Sequence, residues 1–294
     1  MTLELKRKID SANDLQSVVK TMKALAAVSI RQYEKAVVSL AEYNRTLELG
    51  TQILLKNAPE SLIGVKPART DRLGIVVFGS DQGLCGQFNE RLAQLIETLS
   101  LPVPWSSKVL TVGVRIRDRL AAAGITSEVC FTVPSSISGI TPIVQKIVIT
   151  LEAWRRERAI NHILLFHNYP RSSAAYSPQK QQLFPLNLDR LRELQQQPWS
   201  SRSLPTYTMD RDRLASALFR QYFFVALYRA CAESLASENA SRLASMQIAE
   251  KNISDRLTAL QAEFNHQRQT TITNELLDIV AGFEALIAQS RQLN

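Results

Sequence analysis

The sequence predicts an α+α/β fold in which a long antiparallel coiled coil of N- and C-terminal helices flanks a central α/β domain. Three observations support this prediction. All 11 prolines and eight of the 10 glycines lie between residues 59 and 205. The flanking segments are free of proline, which breaks helices, and repeat apolar residues every three or four positions. The middle alternates strand and helix signals. The predicted domains are therefore an N-terminal helix at 1–58, an α/β domain at 59–205 and a C-terminal helix at 206–294.

The two terminal segments have the periodicity of one helical face. Residues spaced by three or four run from Leu15 to Leu54, from Leu214 to Leu235 and from Ile253 to Phe264. Such a stripe, sustained over many heptads, indicates a coiled-coil seam. At 1.5 Å per residue the two helices would reach about 85 Å and about 130 Å, far longer than the helices of an ordinary globular domain.

The middle segment carries the signals of a small, mostly parallel sheet. Strands are predicted at 73–78, 109–112, 128–133 and 163–166, and helices at 88–99, 116–123 and 141–154. The stretch 79–86 is predicted as a loop, and 172–182 as a loop or a hairpin connection. Strands that alternate with helices favour parallel pairing through crossover connections.

The lengths of the two helices predict an uncovered tip. Both helices join the middle domain at their inner ends, and the C-terminal one is longer by about 31 residues, so its end would project roughly 45 Å beyond the other. There the sequence LLDIVAGFEALIA (276–288) is apolar on most sides of a helix. Either this tip folds back on the middle domain, or another protein surrounds it, because an apolar surface of this size marks an interaction site when it is exposed. The apolar side chains concerned are Leu276, Ile279, Val280, Phe283, Leu286 and Ile287.

A polar stretch, residues 265–275, directly precedes the tip. It is either a solvated stretch of helix or a belt that hydrogen-bonds to a partner. In the second case Arg268 would bind a carboxylate with its forked guanidinium, and Gln269 and Thr273 would add neutral hydrogen bonds.

Composition and charge narrow the classes of partner. The chain has 35 basic and 27 acidic residues and a pI near 9.5, which permits nucleic acid, an anionic membrane surface or an acidic protein as partner. The basic residues are not interleaved with aromatic ones, so nucleic acid is not expected. No apolar run approaches a membrane span and the first residues lack a secretory h-region. Three scattered cysteines make no disulfide framework, so we expect a soluble intracellular protein.

Signs of catalysis are weak. The sequence has no P-loop, HExxH, GxSxG or CxxC motif. The loop GSDQGLCG (79–86) resembles a phosphate cradle but lacks its lysine. Its glycines suit a tight turn in which Ser80 or Asp81 caps a helix. We expect Cys85 to be a structural thiol, and Glu233 and Glu238 to pair with basic residues. The three histidines show no ligand spacing, so no metal and no cofactor are expected. A scaffold and a nucleotide-binding enzyme remain the rival classes.

Three stretches resemble the gamma subunit of F-type ATP synthases. The N-terminal helix contains LKRKIDS (5–11) and TMKALAA (21–27). The central segment SDQGLCGQFN (80–89) is similar to the family's SDRGLCGGFN. The C-terminal helix contains LYRACAESLASENASRLASM (227–246) and FNHQRQTTITNELLDIVAG (264–282), which are similar to two long family patterns. The resemblance covers nearly the full chain.

The resemblance implies a non-catalytic rotor subunit of the central stalk. The helical pair would be a shaft beside a Rossmann-like foot. It would turn inside a hexamer of alpha and beta subunits, with the foot on the epsilon subunit and the ring of c subunits. The apolar tip would be a bearing in the hexamer. Matched by position, contacts with the catalytic subunits are expected at Arg242, Arg268, Gln269, Thr273 and Glu275, and less strongly at Lys20 and Lys23.

The resemblance also places the chain on the cytoplasmic side of a bacterial plasma membrane or thylakoid membrane, attached only through the complex. Gln82 and Gln87 depart from the family's usual Arg and Gly. This drift suggests a divergent or alternative-operon member, and a sodium-transporting ring is one hypothesis. The paired cysteines of chloroplast members are missing from the sequence, so a thiol switch is not expected.

Overall fold

The computed structural model describes residues 2–56, 72–99, 107–172, 175–199, 201–203 and 205–292, with side chains for all of these except Thr2, Ser172 and residues 283–292. Within these ranges the chain forms six helices and five strands. In chain order they are α1 (Thr2–Lys56), β1 (Leu73–Phe78), α2 (Phe88–Thr98), β2 (Ser107–Val112), α3 (Val114–Ala122), β3 (Val129–Phe131), α4 (Ile137–Arg158), β4 (His162–Ser172), β5 (Ala175–Phe184), α5 (Leu188–Gln196) and α6 (Arg211–Gln292).

The two long terminal helices are confirmed, with 55 residues in α1 and 82 in α6. Helix α6 begins at Arg211 rather than at residue 206. The carboxylate of Asp210 explains this start, since it accepts hydrogen bonds from the backbone N–H groups of Asp212 and Arg213. An aspartate in this position satisfies N–H groups that have no partner inside the helix, and so fixes its first turn.

Helices α1 and α6 run antiparallel within residues 25–245. The Tyr43 hydroxyl donates to Gln221 Oε1 over 3.1 Å. Seven residues later on α1, a Cβ added to Gly50 would lie 3.1 Å from Leu218, which is earlier on α6. A later residue on α1 therefore contacts an earlier residue on α6, which shows that the two helices run in opposite directions. Gly50 lets the two helices approach closely at this point, because it has no side chain.

The central sheet has the strand order β3-β2-β1-β4-β5. The first four strands are parallel, as predicted, and β5 pairs antiparallel with β4. The prediction of a loop or hairpin connection at 172–182 was wrong for most of this stretch, which belongs to strand β5. An edge strand keeps one face in water, so its sequence is polar and lacks the apolar run that marks a central strand. Helix α5 was also not predicted.

Each face of the sheet is covered by two helices. Val76, Phe78 and Leu110 pack with Ile140 of α4 and Leu227 of α6 in one core cluster. On the opposite face, Ile75 and Val77 pack with Leu92 of α2 and Ile116 of α3. Successive strand residues point to opposite faces, and β1 is buried throughout because both faces are covered.

The chain divides into two compact units. One comprises residues 1–24 with 246–294, and the other residues 25–245. These units do not follow the predicted domain boundaries at 58 and 206, because each long helix contributes to both. The boundary at residue 58 lies outside the described residues.

Candidate functional site

The end of α6 presents apolar side chains to solvent. In the unit formed by residues 1–24 and 246–294, Leu276, Leu277, Ile279 and Val280 are 53–68% exposed. Phe283, Leu286 and Ile287 lie outside the residues whose side chains are described. These exposed residues, 276–280, are called the apolar tip below. An exposed apolar patch of this kind marks an interaction site or an aggregation hazard.

The polar stretch before the apolar tip is also exposed. Arg268, Gln269, Thr273 and Glu275 all face solvent. The Thr273 hydroxyl donates to the backbone oxygen of Gln269 over 2.9 Å, so this threonine is satisfied within its own helix. The structure therefore brings four of the predicted contact residues together on one exposed stretch of α6, next to the apolar tip. We call residues 265–275 the polar collar.

The two lysines predicted on α1 differ in their surroundings. Lys20 is exposed and its Nζ donates to Gln16 Oε1 over 3.3 Å. Lys23 Nζ forms an ion pair with Glu250 Oε2 of α6, in the same unit, over 2.5 Å. Both side chains of that pair are only partly exposed. Lys23 therefore links the two helices of its own chain, whereas Lys20 keeps its charge at the surface.

Arg242 lies apart from the other candidates, in the unit of residues 25–245. Its side chain is only 11% exposed, and its Nη2 donates to Glu238 Oε1 over 2.6 Å. Burial raises the pKa of Glu238, although Arg242 acts in the opposite direction. Arg242 Nε and Glu238 Oε2 have no hydrogen-bond partner among the described residues. Arg242 is thus engaged with its own helix, and it presents little surface to another protein.

A row of serines attaches this part of α6 to the sheet. The hydroxyls of Ser234, Ser237 and Ser241 donate to the backbone oxygens of Phe78, Asn168 and Cys85 respectively. Residues three and four apart share a helix face. Four alanines on this stretch, Ala230, Ala232, Ala236 and Ala240, are buried, and their small side chains permit a close approach. The sequence reasoning missed this row, although its spacing of three and four residues was visible.

A second buried carboxylate, Glu233, lies five residues before Glu238 on α6. Glu233 accepts from Arg229 Nε over 2.7 Å, and its Oε2 lies 2.9 Å from His167 Nε2 of β4. Burial raises the pKa of Glu233, but the hydrogen bonds from His167 and Arg229 outweigh burial, and the net shift is downward. The prediction that Glu233 and Glu238 pair with basic residues is confirmed, and His167 is buried and bonded to Glu233.

The loop 79–86 uses its polar groups inside the fold. Asp81 accepts from the backbone N–H of Val114 over 2.8 Å and from that of Val133 over 2.7 Å. It therefore caps α3 and ties the loop to the segment after β3. Ser80 is bonded through its backbone N–H and its hydroxyl to the side chain of Asn89. The loop thus serves as a structural junction, in which Asp81 has the capping role that was predicted.

Two glycines make this junction possible. A Cβ at Gly79 would lie 2.3 Å from Ile116, and one at Gly113 would lie 2.8 Å from the backbone of Ser80. Gly113 also has φ of 118°, a conformation that other residues rarely adopt. Cys85 is buried in the same loop, and burial raises the pKa of its thiol. A thiol with this environment is a poor nucleophile.

Within the described residues, no group of three or more His, Cys, Asp or Glu side chains is placed to hold a metal ion. In the same part of the chain, no helix combines the length and the hydrophobicity that a membrane crossing needs.

Comparison with known proteins identifies the family. A family model described as ATP synthase matches residues 2–286. Curated proteins named ATP synthase gamma chain align over 96% of this chain and 98% of their own length, with 28% identity in Pelagibacter ubique and 29% in Pasteurella multocida. The chain belongs to the ATP synthase gamma family.

Solved structures share the fold. A rotor chain of the Euglena gracilis mitochondrial ATP synthase superimposes with a TM-score of 0.66 at 15% identity, covering 92% of this chain and 98% of that chain. A central-stalk chain from Tetrahymena thermophila gives a TM-score of 0.56 at 22% identity, over 79% of this chain and 99% of that chain. Gamma chains are non-catalytic stalk subunits, and catalysis in these complexes occurs in the beta subunits.

Two stretches that lie far apart in the sequence and carry the family resemblance meet in the fold. The loop SDQGLCGQFN and the segment LYRACAESLASENASRLASM carry the resemblance in sequence. Within residues 25–245 the Ser241 hydroxyl donates a hydrogen bond to the Cys85 carbonyl. A Cβ added to Gly86 would lie 3.2 Å from the Ser245 hydroxyl and 3.4 Å from the Ser241 hydroxyl, so the two stretches are in close contact. These motifs therefore attach α6 to the loop that follows β1, while the apolar tip and the polar collar are exposed in the described part of the chain.

Proposed function

We propose that this chain is the central-stalk rotor subunit of an F-type ATP synthase, coupling ion-driven rotation of a membrane c ring to ATP synthesis or hydrolysis at the beta subunits. The observation that carries the proposal is the exposed apolar tip beside the exposed polar collar, in a chain of the gamma family. An axle that turns in a sleeve needs low polarity on several sides, because each side meets the sleeve in turn. Leu276, Ile279 and Val280 provide such a surface.

The partners follow from this role. The alpha and beta subunits would surround the apolar tip, and the epsilon subunit and c ring would hold the central α/β domain. The chain would be peripheral, on the cytoplasmic side of a bacterial plasma membrane or a thylakoid membrane, and it would reach the membrane only through its partners.

The polar collar would act on the beta subunits by differential contact. A ligand or partner shifts a conformational equilibrium only by binding one state better than the other. Arg268 and Glu275 differ in charge and position on the helix, so each orientation of the shaft would offer a different surface to each beta subunit. Rotation would then favour the open and closed states in sequence. Arg242 and Lys23 are weaker contact candidates, because each is already paired within this chain.

The proposal is tested by a matched pair of variants in the full complex, co-expressed with its alpha and beta chains. Ile279→Asn with Val280→Asn would make the apolar tip polar. Leu15→Asn with Val18→Asn would make the same change at exposed apolar positions on α1. Measurements are the stoichiometry of the purified complex, ATP hydrolysis and ATP-driven ion transport.

We expect one copy of this chain per six alpha and beta subunits. The tip variant should lower ion transport per ATP hydrolysed, or reduce assembly, while the α1 variant leaves both close to wild type. Unchanged coupling in the tip variant would contradict the axle role and favour a scaffold that merely bridges its partners.

A further inference from the structure

A groove with an apolar floor lies between α4, α6 and the start of β4, within residues 25–245. Its volume is about 670 Å³. The groove is large enough to receive one or two side chains of a partner and the backbone that carries them.

The floor of the groove is aromatic and aliphatic. Phe184, Phe219 and Phe223 line it together with Leu151 and Ile160. The rings of Phe184 and Phe223 pack edge to face, 6.3 Å apart. Phe219 is 38% exposed. Aromatic side chains that stay partly in water are typical of the anchor pockets of protein interfaces.

The rim of the groove is strongly basic. Arg155, Arg156 and Arg220 line it, and only Glu152 among its lining residues is acidic. That carboxylate is already bonded to Arg220, over 2.9 Å. Arg155 lies 4.3 Å above the ring of Phe184. Within the described residues, neither Arg155 nor Arg156 forms an ion pair.

The basic surface extends beyond the rim. Arg158 is in the same last turn of α4, and Arg72 donates to its backbone oxygen over 2.8 Å. Cations at a helix C-terminus are favoured by the helix dipole, which explains part of this cluster on α4. The dipole of α4 does not explain Arg220, which comes from α6 and faces the same groove.

We propose that this groove docks an acidic segment of a partner protein, one that carries an aromatic or large aliphatic anchor flanked by carboxylates. The anchor would enter the phenylalanine floor, and the carboxylates would bind Arg155 and Arg156, whose forked guanidinium groups match them. A phosphate ligand fits less well, since α4 contributes its C-terminal end and phosphate sites use helix N-termini. The proposal does not depend on the rotor function, because it concerns only this surface.

The test uses the full chain and three fluorescently labelled synthetic hexapeptides. Glu-Glu-Phe-Leu-Glu-Glu has both features, Lys-Lys-Phe-Leu-Lys-Lys reverses the charge, and Glu-Glu-Ser-Ser-Glu-Glu lacks the anchor. Fluorescence anisotropy gives the dissociation constants at 50 and 300 mM NaCl. We expect binding of the first peptide only, weakened several-fold by the higher salt because the charges are exposed.

Two variants locate the binding site. Arg155→Glu with Arg156→Glu should weaken binding of the first peptide by about tenfold or more. The control, Lys35→Glu with Arg45→Glu, makes the same change in net charge at exposed positions on α1 and should leave binding within about twofold. Circular dichroism spectra and unfolding midpoints establish that both variants are folded. Phe219→Ala should also weaken binding if the anchor occupies the floor.

Three results would overturn the proposal. One is equal binding by the groove variant and the control. Another is equal binding of the acidic peptide and the charge-reversed peptide. The third is binding to phosphatidylglycerol vesicles without binding to the acidic peptide, which would assign the basic surface to a membrane instead of a protein. Any of these three results would leave the rotor function untouched, because that function is tested at the apolar tip.

Discussion

Two stretches of the same helix differ in what surrounds them. Residues 230–245 of α6 pack on the sheet and on the loop that follows β1, through buried alanines and three serine hydroxyls that donate to backbone oxygens. Residues 268–282 of α6 are exposed. Both stretches contain apolar residues in abundance, yet only the first is covered by its own chain.

The difference in burial between the two stretches means that their residues are constrained in two different ways. A buried residue such as Arg242 is constrained by the stability of the folded chain. An exposed one such as Arg268 is constrained only by what binds to it. Substitutions in the two stretches should therefore act on different measurements, namely the free energy of unfolding of the isolated chain and the activity of the complex.

The largest expected effect comes from Arg242→Ala, compared with Arg268→Ala. The first variant leaves the Glu238 carboxylate buried without its partner, and breaking a buried pair in this way costs about 3 kcal/mol at pH 7. The second removes an exposed guanidinium, with an expected change within about 0.5 kcal/mol. Urea unfolding of the full chain measures both values. Equal destabilisation by the two variants would contradict the division between the stretches.

A smaller effect is expected from an added side chain. Ala236 is 2% exposed and packs in the main core cluster, so Ala236→Leu should overpack this contact and cost about 1–3 kcal/mol. Ala281→Leu makes the same change on the exposed stretch, and should alter the unfolding free energy by less than about 0.5 kcal/mol. If the buried variant were as stable as wild type, the close approach of α6 to the sheet would be looser than the serine bonds indicate.

The fold was largely readable from the sequence because its signals are local. The absence of proline from both ends predicted α1 and α6, and short apolar runs predicted the four parallel strands. Strand β5 was missed, since an edge strand has a solvent face and no apolar run. Helix α5 was missed for a related reason, because only Leu194 on it is buried.

The candidate site was readable only in part. The exposure of Leu276 and Arg268 followed from the unequal lengths of the two terminal segments. The burial of Arg242 did not, because an arginine in a helix looks the same whether it faces water or a glutamate one turn away. The pairing of Ser241 with the loop at Cys85 joins residues 156 positions apart, and no local pattern could have shown it.

The smallest expected effect concerns two glutamates within the buried stretch, Glu233 and Glu238. Their contributions to the stability of the chain should change with pH in opposite directions. The pKa of Glu233 is lowered in the fold, so its stabilising contribution is present above its ordinary value of 4.5 and is lost as the pH falls below it. The pKa of Glu238 is raised by burial, so its contribution is present below 4.5 and is lost as the pH rises through the higher folded value.

Glu233→Gln should therefore reduce the loss of stability on acidification below pH 4.5. Glu238→Gln should instead remove a loss of stability that wild type suffers as the pH rises above 4.5. In each case the change in unfolding free energy should be smaller than that caused by Arg242→Ala, and urea unfolding between about pH 3 and pH 8 measures both. Slopes that change in the same direction for the two variants would mean that His167 and Arg229 do not hold Glu233 in its charged form, and the buried stretch would then contain two equivalent carboxylates.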